Sequence, residues 1–350
     1  MKNLYLPVTS QPRELESRLL LALHASEAGI RPFIGYKSVF RARRVPLPPG
    51  YFLAHNARQK PEKLGRLARF GHSVLVLDEE ALVRQSDDIF LGKHEKDAFE
   101  FAHHVLCWGQ DDADMWARSD FDLGCGTSIV GNPRMDLLRP EMAAYYAPAV
   151  ERLHATYGAY VLLNTNFPTV NNFVEGEGGV AMANWALDGE GERERQAFLA
   201  NKRKLYEATL ALVRPLAEAI APLALVVRPH PNEDHTPWHE AVAGIDNAHA
   251  VFEGGVNPWI FGATAMVHNS CTTAIEAAVA GVPVLNFRPW QSAHDNAFAH
   301  AVGMDCKDAA AIAGALKAIQ SGGEGRSPEQ TKLLRHHLVS VDGDFSCQRI

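Results

Sequence analysis

The sequence predicts an α/β fold of two Rossmann-like domains, and three observations carry that expectation. The first is the stretch Val267–Phe287, VHNSCTTAIEAAVAGVPVLNF. An apolar lead-in, a polar loop, a small-residue helix stopped by Gly281 and a second apolar run spell a right-handed βαβ crossover. The second is Leu223–Trp238, LALVVRPHPNEDHTPW, where five apolar residues read as a buried parallel strand run straight into Arg228, Pro229, His230 and Pro231. The third is length: 350 residues is long for one core. The expected division is 1–150, 151–325 and a tail, 326–350.

Composition narrows the function classes. Lys plus Arg number 34 against 41 Asp plus Glu, giving −7 with no basic block, which argues against a nucleic-acid surface. No apolar run approaches the length of a membrane span, and the start, MKNLYLPVTS, lacks the apolar region of a signal peptide. Five cysteines, Cys107, Cys125, Cys271, Cys306 and Cys347, are odd in number and scattered without metal-ligand spacing. That is a reducing-compartment pattern, so a cytoplasmic chain without a metal site is expected.

In the N-terminal half, Asn3–Val8 reads as a strand and Arg13–Ala28 as a helix with Leu15, Leu19, Leu20 and Leu23 on one stripe. Pro32–Gly35 is the next strand. The loop after it holds Lys37, Arg41, Arg43 and Arg44, a basic patch that is either merely solvated or a surface for an anionic acceptor or a membrane. Phe52–His55 reads as a strand, Lys60–Phe70 as a helix and Ser73–Leu77 as a buried strand ending in Asp78, Glu79 and Glu80. Three such acids repel one another and are costly to desolvate without partners. Either they start the next helix as favourable charges, or one is a catalytic carboxylate with a tuned pKa. Glu95–His104 reads as a helix, Val105–Trp108 as a strand, Asp111–Arg118 as a short helix and Thr127–Val130 as the last strand. In the rigid turn GNPRMD, Arg134 and Asp136 either pair with each other to lock it or leave the guanidinium for a ligand.

Leu138–Tyr157 reads as a helix connecting the halves. Tyr160–Leu163 opens a second sheet and ends in Asn164, Thr165, Asn166 and Phe167. Pro168–Gly191 is a long loop, read as a lid or a plain insertion. Glu192–Ile220 is a long amphipathic helix, Ala248–Phe252 a strand, Asn257 begins a helix, Lys307–Ile319 is another, and the chain from Gly322 onward is weakly patterned. Ligands of open α/β sheets collect at the carboxyl ends of strands, where the polar clusters fall. His230 is held between two prolines. Ser270, Thr272 and Thr273 place hydroxyls and backbone N–H groups at a helix N-terminus, which favours a phosphate, and Glu276 one turn on could reach ribose hydroxyls. The competing reading is that Ser270 and Thr272 only cap the helix and that His230 is structural.

With these motifs placed, the chain resembles the bacterial surface carbohydrate biosynthesis proteins, glycosyltransferases of GT-B architecture whose two Rossmann-like domains face each other across a cleft. The matching stretches are LDEEAL, CWG, GNPRMDLLRPE, LLNTNF, VVRPHPNE with Trp238, and HNSCTTAIEAAVAGVPVLNF, in one order between about residues 37 and 290. A more distant resemblance links the chain to the capsule β-Kdo transferases, retaining enzymes that use CMP-activated ulosonic sugars. Their Glu-Asp-Gly-Phe type motif has its place at Glu79-Glu80-Ala81-Leu82, with glutamate for aspartate and alanine for glycine. Their His-Pro pair and Ser/Thr loop match His230-Pro231 and Ser270 to Thr273.

The resemblance implies a metal-independent glycosyltransferase of capsule or lipopolysaccharide synthesis. It would carry Kdo, pseudaminic acid or a related sugar from CMP to a glycan or glycolipid acceptor, with retention, without a cofactor and without nucleic acid. Glu80 would attack or stabilise the anomeric carbon, with Glu79 or Asp78 as base or orienting partner. Arg228, His230, Pro231, Asn269, Ser270, Thr272, Thr273, Glu276, Asn164, Asn166 and Arg134 would hold nucleotide and donor, and Lys37 would meet the acceptor. The first domain is then the acceptor and catalytic one, the second binds the nucleotide sugar, and the protein contacts the cytoplasmic face of the inner membrane peripherally. The alternatives are a nucleotide-sugar epimerase or a UDP-sugar or CDP-polyol transferase of the same fold, and an inactive glycan-binding subunit.

Overall fold

The structure, a computed structural model, describes residues 2–41, 47–58, 61–84, 86–173, 189–322 and 326–350. Arg43, Arg44 and most of the expected lid lie outside the described residues, as does the side chain of Arg41. The chain divides into two compact units, Met1–Arg139 with Lys332–Ile350, and Pro140–Thr331.

The first unit is a parallel sheet of β1 (Asn3–Val8), β2 (Arg31–Tyr36), β3 (Tyr51–Ala54), β4 (Ser73–Val76), β5 (His104–Cys107) and β6 (Thr127–Ile129), in the order β2-β1-β3-β4-β5-β6. Its helices are α1 (Gln11–Glu27), α2 (Lys37–Arg41), α3 (Pro61–Arg69), α4 (Asp87–Leu91), α5 (Gln110–Arg118) and α6 (Pro133–Asp136). Leu4, Tyr5, Leu6, Leu53, Val74 and Val76 are buried, as strands of a parallel sheet covered by helices require.

The second unit is a parallel sheet of β7 (Tyr160–Asn164), β8 (Ala224–Arg228), β9 (Ala248–Ala250), β10 (Ala263–His268), β11 (Val284–Phe287) and β12 (Met304–Cys306). The order is β12-β11-β10-β7-β8-β9, so the chain winds outward from β7 in one direction and from β10 in the other. Counted from β7 this is the 3-2-1-4-5-6 order of dinucleotide-binding folds, with its switch point between β7 and β10. The helices are α7 (Ala143–Tyr157), α8 (Gly189–Ile220), α9 (Thr236–Val242), α10 (Asn257–Gly262), α11 (Thr272–Val279), α12 (Ala297–Ala301) and α13 (Ala309–Gln320). One core joins Val161, Leu163, Leu225, Val227, Ala265, Val267 and Leu285 of the sheet to Val213, Leu216 and Ile312 of the helices. Among the described residues no helix is long and apolar enough to cross a membrane.

Three expectations need correction. The segment Glu95–His104 is not an α-helix but a 3-10 turn, Lys96–Phe101, because the His103 N–H already donates to Val74 O and the chain must be extended there to enter β5. Helix α1 does not bury its leucine stripe: Leu19 and Leu23 are 52% and 56% exposed, while Glu14, Ser17, Arg18 and Leu21 face inward. The helix is turned this way because the buried Arg18 reaches Glu79 at 2.7 Å and Glu14 accepts the Thr9 N–H at 2.7 Å. The third concerns the C-terminus, which is not an unpatterned tail.

The chain passes through α14 (Pro328–His337) back to the first unit and ends in α15 (Ser346–Arg349). Val339 N–H donates to Trp108 O at 3.0 Å. Two glycines make room for this return. A Cβ on Gly109 would lie 2.3 Å from the His337 carbonyl carbon, and one on Gly131, at φ 86°, would lie 2.4 Å from Ser346 Oγ. Asp136 is buried and accepts from Ser346 N (2.9 Å), Ser346 Oγ (2.8 Å) and Cys347 N (2.9 Å), closing the N-terminus of α15. Asp136→Ala leaves the Ser346 and Cys347 N–H groups buried without an acceptor and should lower stability by about 3 kcal/mol in urea unfolding. A change below about 0.5 kcal/mol, the range of ordinary surface substitutions, would mean that the C-terminal segment is held by other contacts.

Candidate nucleotide site and acidic cluster

In the second unit the register sets Asn164 beside Arg228 and Leu163 beside Val267, so three strand ends lie level at the switch point. The turn from β10 into α11 is tight. Ser270 sits at φ 65°, the left-handed region, and is the one non-glycine residue there among the described residues. Such a conformation costs on the order of 1 kcal/mol and persists where surrounding contacts fix it. Here they do: Asn166 Nδ2 donates to Ser270 O at 3.2 Å, the Asn296 N–H points at Ser270 Oγ at 3.4 Å, and Ser270 Oγ lies 2.9 Å from His300 Nε2. Beyond it Cys271 is the N-cap of α11, without a side-chain cap bond, and Thr273 Oγ1 meets the Cys271 thiol. Thr272 and Thr273 are half-buried in the first turn, and Glu276 is buried one turn on.

His230 stands at the end of β8, half-buried, between the buried Pro229 and the exposed Pro231. Its Nδ1 accepts the Asn232 N–H at 3.1 Å, which fixes the neutral tautomer with the proton on Nε2. Glu233, which sequence reasoning passed over, organises the loop. Its buried carboxylate accepts from Thr165 Oγ1 (2.6 Å), Phe167 N (2.9 Å), His230 N (3.3 Å), Trp238 Nε1 (2.9 Å) and Asn171 Nδ2 (3.4 Å). The signal was present as an acid three residues after His230, the reach at which a side chain returns to its own loop's N–H.

Two buried amide oxygens, Asn164 Oδ1 and Asn269 Oδ1, have no hydrogen-bond partner among the described residues. His268 is structural: buried, held by Asn286 at 2.7 Å and pushed by desolvation down to about 3, so it stays neutral. Burial likewise lowers the pKa of His300, whose Nδ1 faces Asp295 at 3.9 Å. Arg228, expected at the donor, meets two carbonyl oxygens of its own unit. Its terminal nitrogens donate to Glu253 O (2.9 Å) and Gly254 O (2.6 Å), and its guanidinium lies over Phe252 and Trp259. Burial lowers its pKa to about 10, and its two hydrogen bonds tie the chain after β9 to the end of β8.

The acid triplet of the first unit does not start a helix; the next helix is α4, seven residues on. Asp78 is buried, paired with Arg58 (2.8 Å) and His94 (2.8 Å), and its Oδ1 accepts the Glu80 N–H at 2.8 Å. Trp108 Nε1 of the CWG stretch donates to Asp78 O at 2.8 Å. Glu79 is buried against Arg18 (2.7 Å), Asn132 Nδ2 (3.2 Å) and Arg134 (3.6 Å). Burial alone would raise its pKa, but Arg18 and Arg134 outweigh it and hold the carboxyl down at about 2. Glu80 is different: its side chain is 52% exposed and meets Arg13 at 2.9 Å. Arg134 and Asp136 are therefore not partners of each other, because Arg134 serves Glu79 and Asp136 serves α15. Lys37 is half-buried at the start of α2, near enough to His55 to act on it electrostatically.

A depression of about 600 Å³ lies beside β9, lined among others by Tyr157, His235, His239, His249 and Phe252, and holds none of the candidate residues. Among the described residues no group of three His, Cys, Asp or Glu side chains could hold a metal.

No protein-family model and no curated protein sequence matches the chain. Solved structures do. The wall teichoic acid polymerase TagF superposes with a TM-score of 0.63 at 10% identity, over 99% of this chain and 87% of that one. S. aureus MnaA in complex with UDP gives 0.59 at 12%, over 100% and 94%. A Listeria monocytogenes structure assigned as a UDP-N-acetylglucosamine 2-epimerase gives 0.59 at 12%, over 100% and 95%. The two parallel six-stranded units therefore have the GT-B fold, each unit Rossmann-like.

Glu79→Gln removes the carboxylate that meets the buried Arg18 at 2.7 Å and should cost about 3–5 kcal/mol. The sign with pH follows from the depressed folded pKa. The stabilisation is complete above the unfolded carboxyl value of about 4.3 and is lost as pH falls through about 2. Urea midpoints measured from pH 5 to pH 2 should fall more steeply in the wild type than in Glu79→Gln. Equal slopes would contradict the assignment.

Proposed function

We propose that the protein is a nucleotide-sugar glycosyltransferase of bacterial surface polysaccharide synthesis, using a CMP-activated ulosonic or nonulosonic sugar and a glycan or glycolipid acceptor. The observation that carries the nucleotide part is the strained Ser270 turn at the β7–β10 switch point, which leads directly into the N-terminus of α11. A leaving CMP gains negative charge, and donors fixed beforehand stabilise it most. The α11 backbone N–H groups, Thr272, Thr273 and the Nε2–H of His230 are of that kind, and they need no metal to act. The amide oxygens of Asn164 and Asn269 are assigned to hydroxyl or base hydrogens of the donor, and Glu276 to ribose hydroxyls from its place one turn into α11.

In this reading Glu80 is the carboxylate for the cationic anomeric centre. Of the three acids it alone is open to solvent, whereas Asp78 and Glu79 lie in closed ion pairs. A carboxyl held at about 2 is a weak general base, so Glu79 is assigned to fixing the turn that presents Glu80, and so is Asp78, which is closed in by Arg58 and His94. Lys37 remains the candidate for the acceptor, and peripheral contact with the inner membrane belongs to the same proposal.

A second reading, a UDP-sugar epimerase or a transferase of UDP-sugars or CDP-polyols, is favoured by the likeness to MnaA with UDP and to TagF. Nucleotide preference separates the two. Thermal-shift titration with CMP, CDP and UDP should single out CMP, since a ligand at a hundred times its Kd stabilises by about 2.7 kcal/mol. Preference for UDP together with acceptor-free turnover would establish the second reading. Glu80→Gln should abolish transfer and leave CMP binding unchanged; full activity in that variant would remove Glu80 from the mechanism.

A further inference from the structure

Lys202, on α8, is only 9% exposed. Its ammonium lies 5.8 Å from the ring centre of Phe167 and 5.9 Å from that of Phe198. Among the described residues no carboxylate comes within 4 Å of it, and it makes no hydrogen bond. The acids that act on it from further away are Glu233 and Asp295. Both are already committed. Glu233 is filled by the loop of His230, and Asp295 Oδ2 pairs with Arg288 at 2.7 Å and accepts the Ser292 N–H at 3.1 Å. Desolvation lowers the amine's pKa, and Cys271, Glu233 and Asp295 oppose it only in part.

A buried cation without a counter-ion destabilises the chain that carries it, so a packing role would be served better by methionine. Its surroundings show what the charge is for. Phe167, whose ring the ammonium faces, directly follows Asn166, which donates to Ser270 O at 3.2 Å, one residue before Cys271, the N-cap of α11. The loop after β11 closes the other side: Trp290 Nε1 donates to Asn201 Oδ1 at 2.9 Å, and the His294 ring meets Phe198 at 5.6 Å. The uncapped helix N-terminus and the unpaired ammonium thus share one neighbourhood at the switch point.

We infer that Lys202 is the counter-ion for the phosphate of the bound nucleotide, placed by α8 beside the N-terminus of α11. The inference rests on the nucleotide reading above and adds the residue that supplies the full positive charge. It makes Lys202 a binding residue specific for phosphate, blind to the base.

The test is calorimetric titration of the full chain with cytidine, CMP, CDP and UDP, with ligand-free melting, in the wild type, Lys202→Met and Lys202→Arg. Lys202→Met should melt higher than the wild type without ligand, because a desolvated charge has gone. It should bind the preferred nucleotide about 10- to 100-fold more weakly, the loss expected for one charge-assisted hydrogen bond. Its discrimination between CMP and cytidine should collapse, and Lys202→Arg should restore part of it. A Lys202→Met chain that melts lower or fails to fold makes Lys202 a packing residue and overturns the inference. Nucleotide affinity unchanged in Lys202→Met overturns it too and leaves the nucleotide reading standing. A wild type that binds none of the nucleotides removes that reading, and the inference with it.

Discussion

The reversal of winding between β7 and β10 is the constraint on which the candidate site depends. Neighbouring parallel strands whose helices leave in opposite directions cannot close over their own carboxyl ends, so a crevice opens there. The chain puts Asn164, Asn166 and Ser270 into that gap. A helix N-terminus in such a gap offers several backbone donors at once, and in the proposed reading phosphate oxygens meet them. The left-handed Ser270 is the point at which the chain turns sharply enough for α11 to begin inside the crevice. The Glu233 network ties the loop after β8 to the end of β7, and Arg228 anchors the chain after β9 to the end of β8.

Burial of charge plays the corresponding part in the first unit. An interior arginine such as Arg18 is tolerated only when carboxylates meet it, and Glu79 does so at the end of β4. That single pairing turns α1 so that leucines face outward, draws Arg134 in from α6, and leaves Glu80 as the acid open to solvent. The same motif holds the C-terminus through Asp136, so GNPRMD joins the acid triplet to the last helix of the chain.

Strand and crossover positions were legible because parallel strands buried on both faces are short continuous apolar runs with polar ends, and runs such as YVLL and VLNF have few other solutions. The helix-terminus loop at Ser270 to Thr273 was legible for the same reason, since hydroxyl residues between a strand and an alanine-rich helix have a defined place. The partners of charged residues were not legible, because local sequence does not show which distant carbonyl or carboxylate a guanidinium will meet, and the leucine stripe of α1 points to the wrong inward face for that reason. Arg228 meets the carbonyl oxygens of residues 253 and 254, and Arg18 meets an acid 61 positions away. The returning C-terminal segment left only an indirect trace, in the glycines at 109 and 131 whose missing side chains its backbone and serines fill.

The central claim is that a nucleotide phosphate is bound where β10 turns into α11. A crystal of the full chain soaked with CMP tests it most directly. The account predicts difference density with phosphate oxygens in hydrogen-bonding reach of the first-turn amides at residues 272 and 273 and of the Lys202 ammonium. Nucleotide density confined to the depression beside β9, or lying away from Ser270 with the α11 amides facing only water, would contradict it.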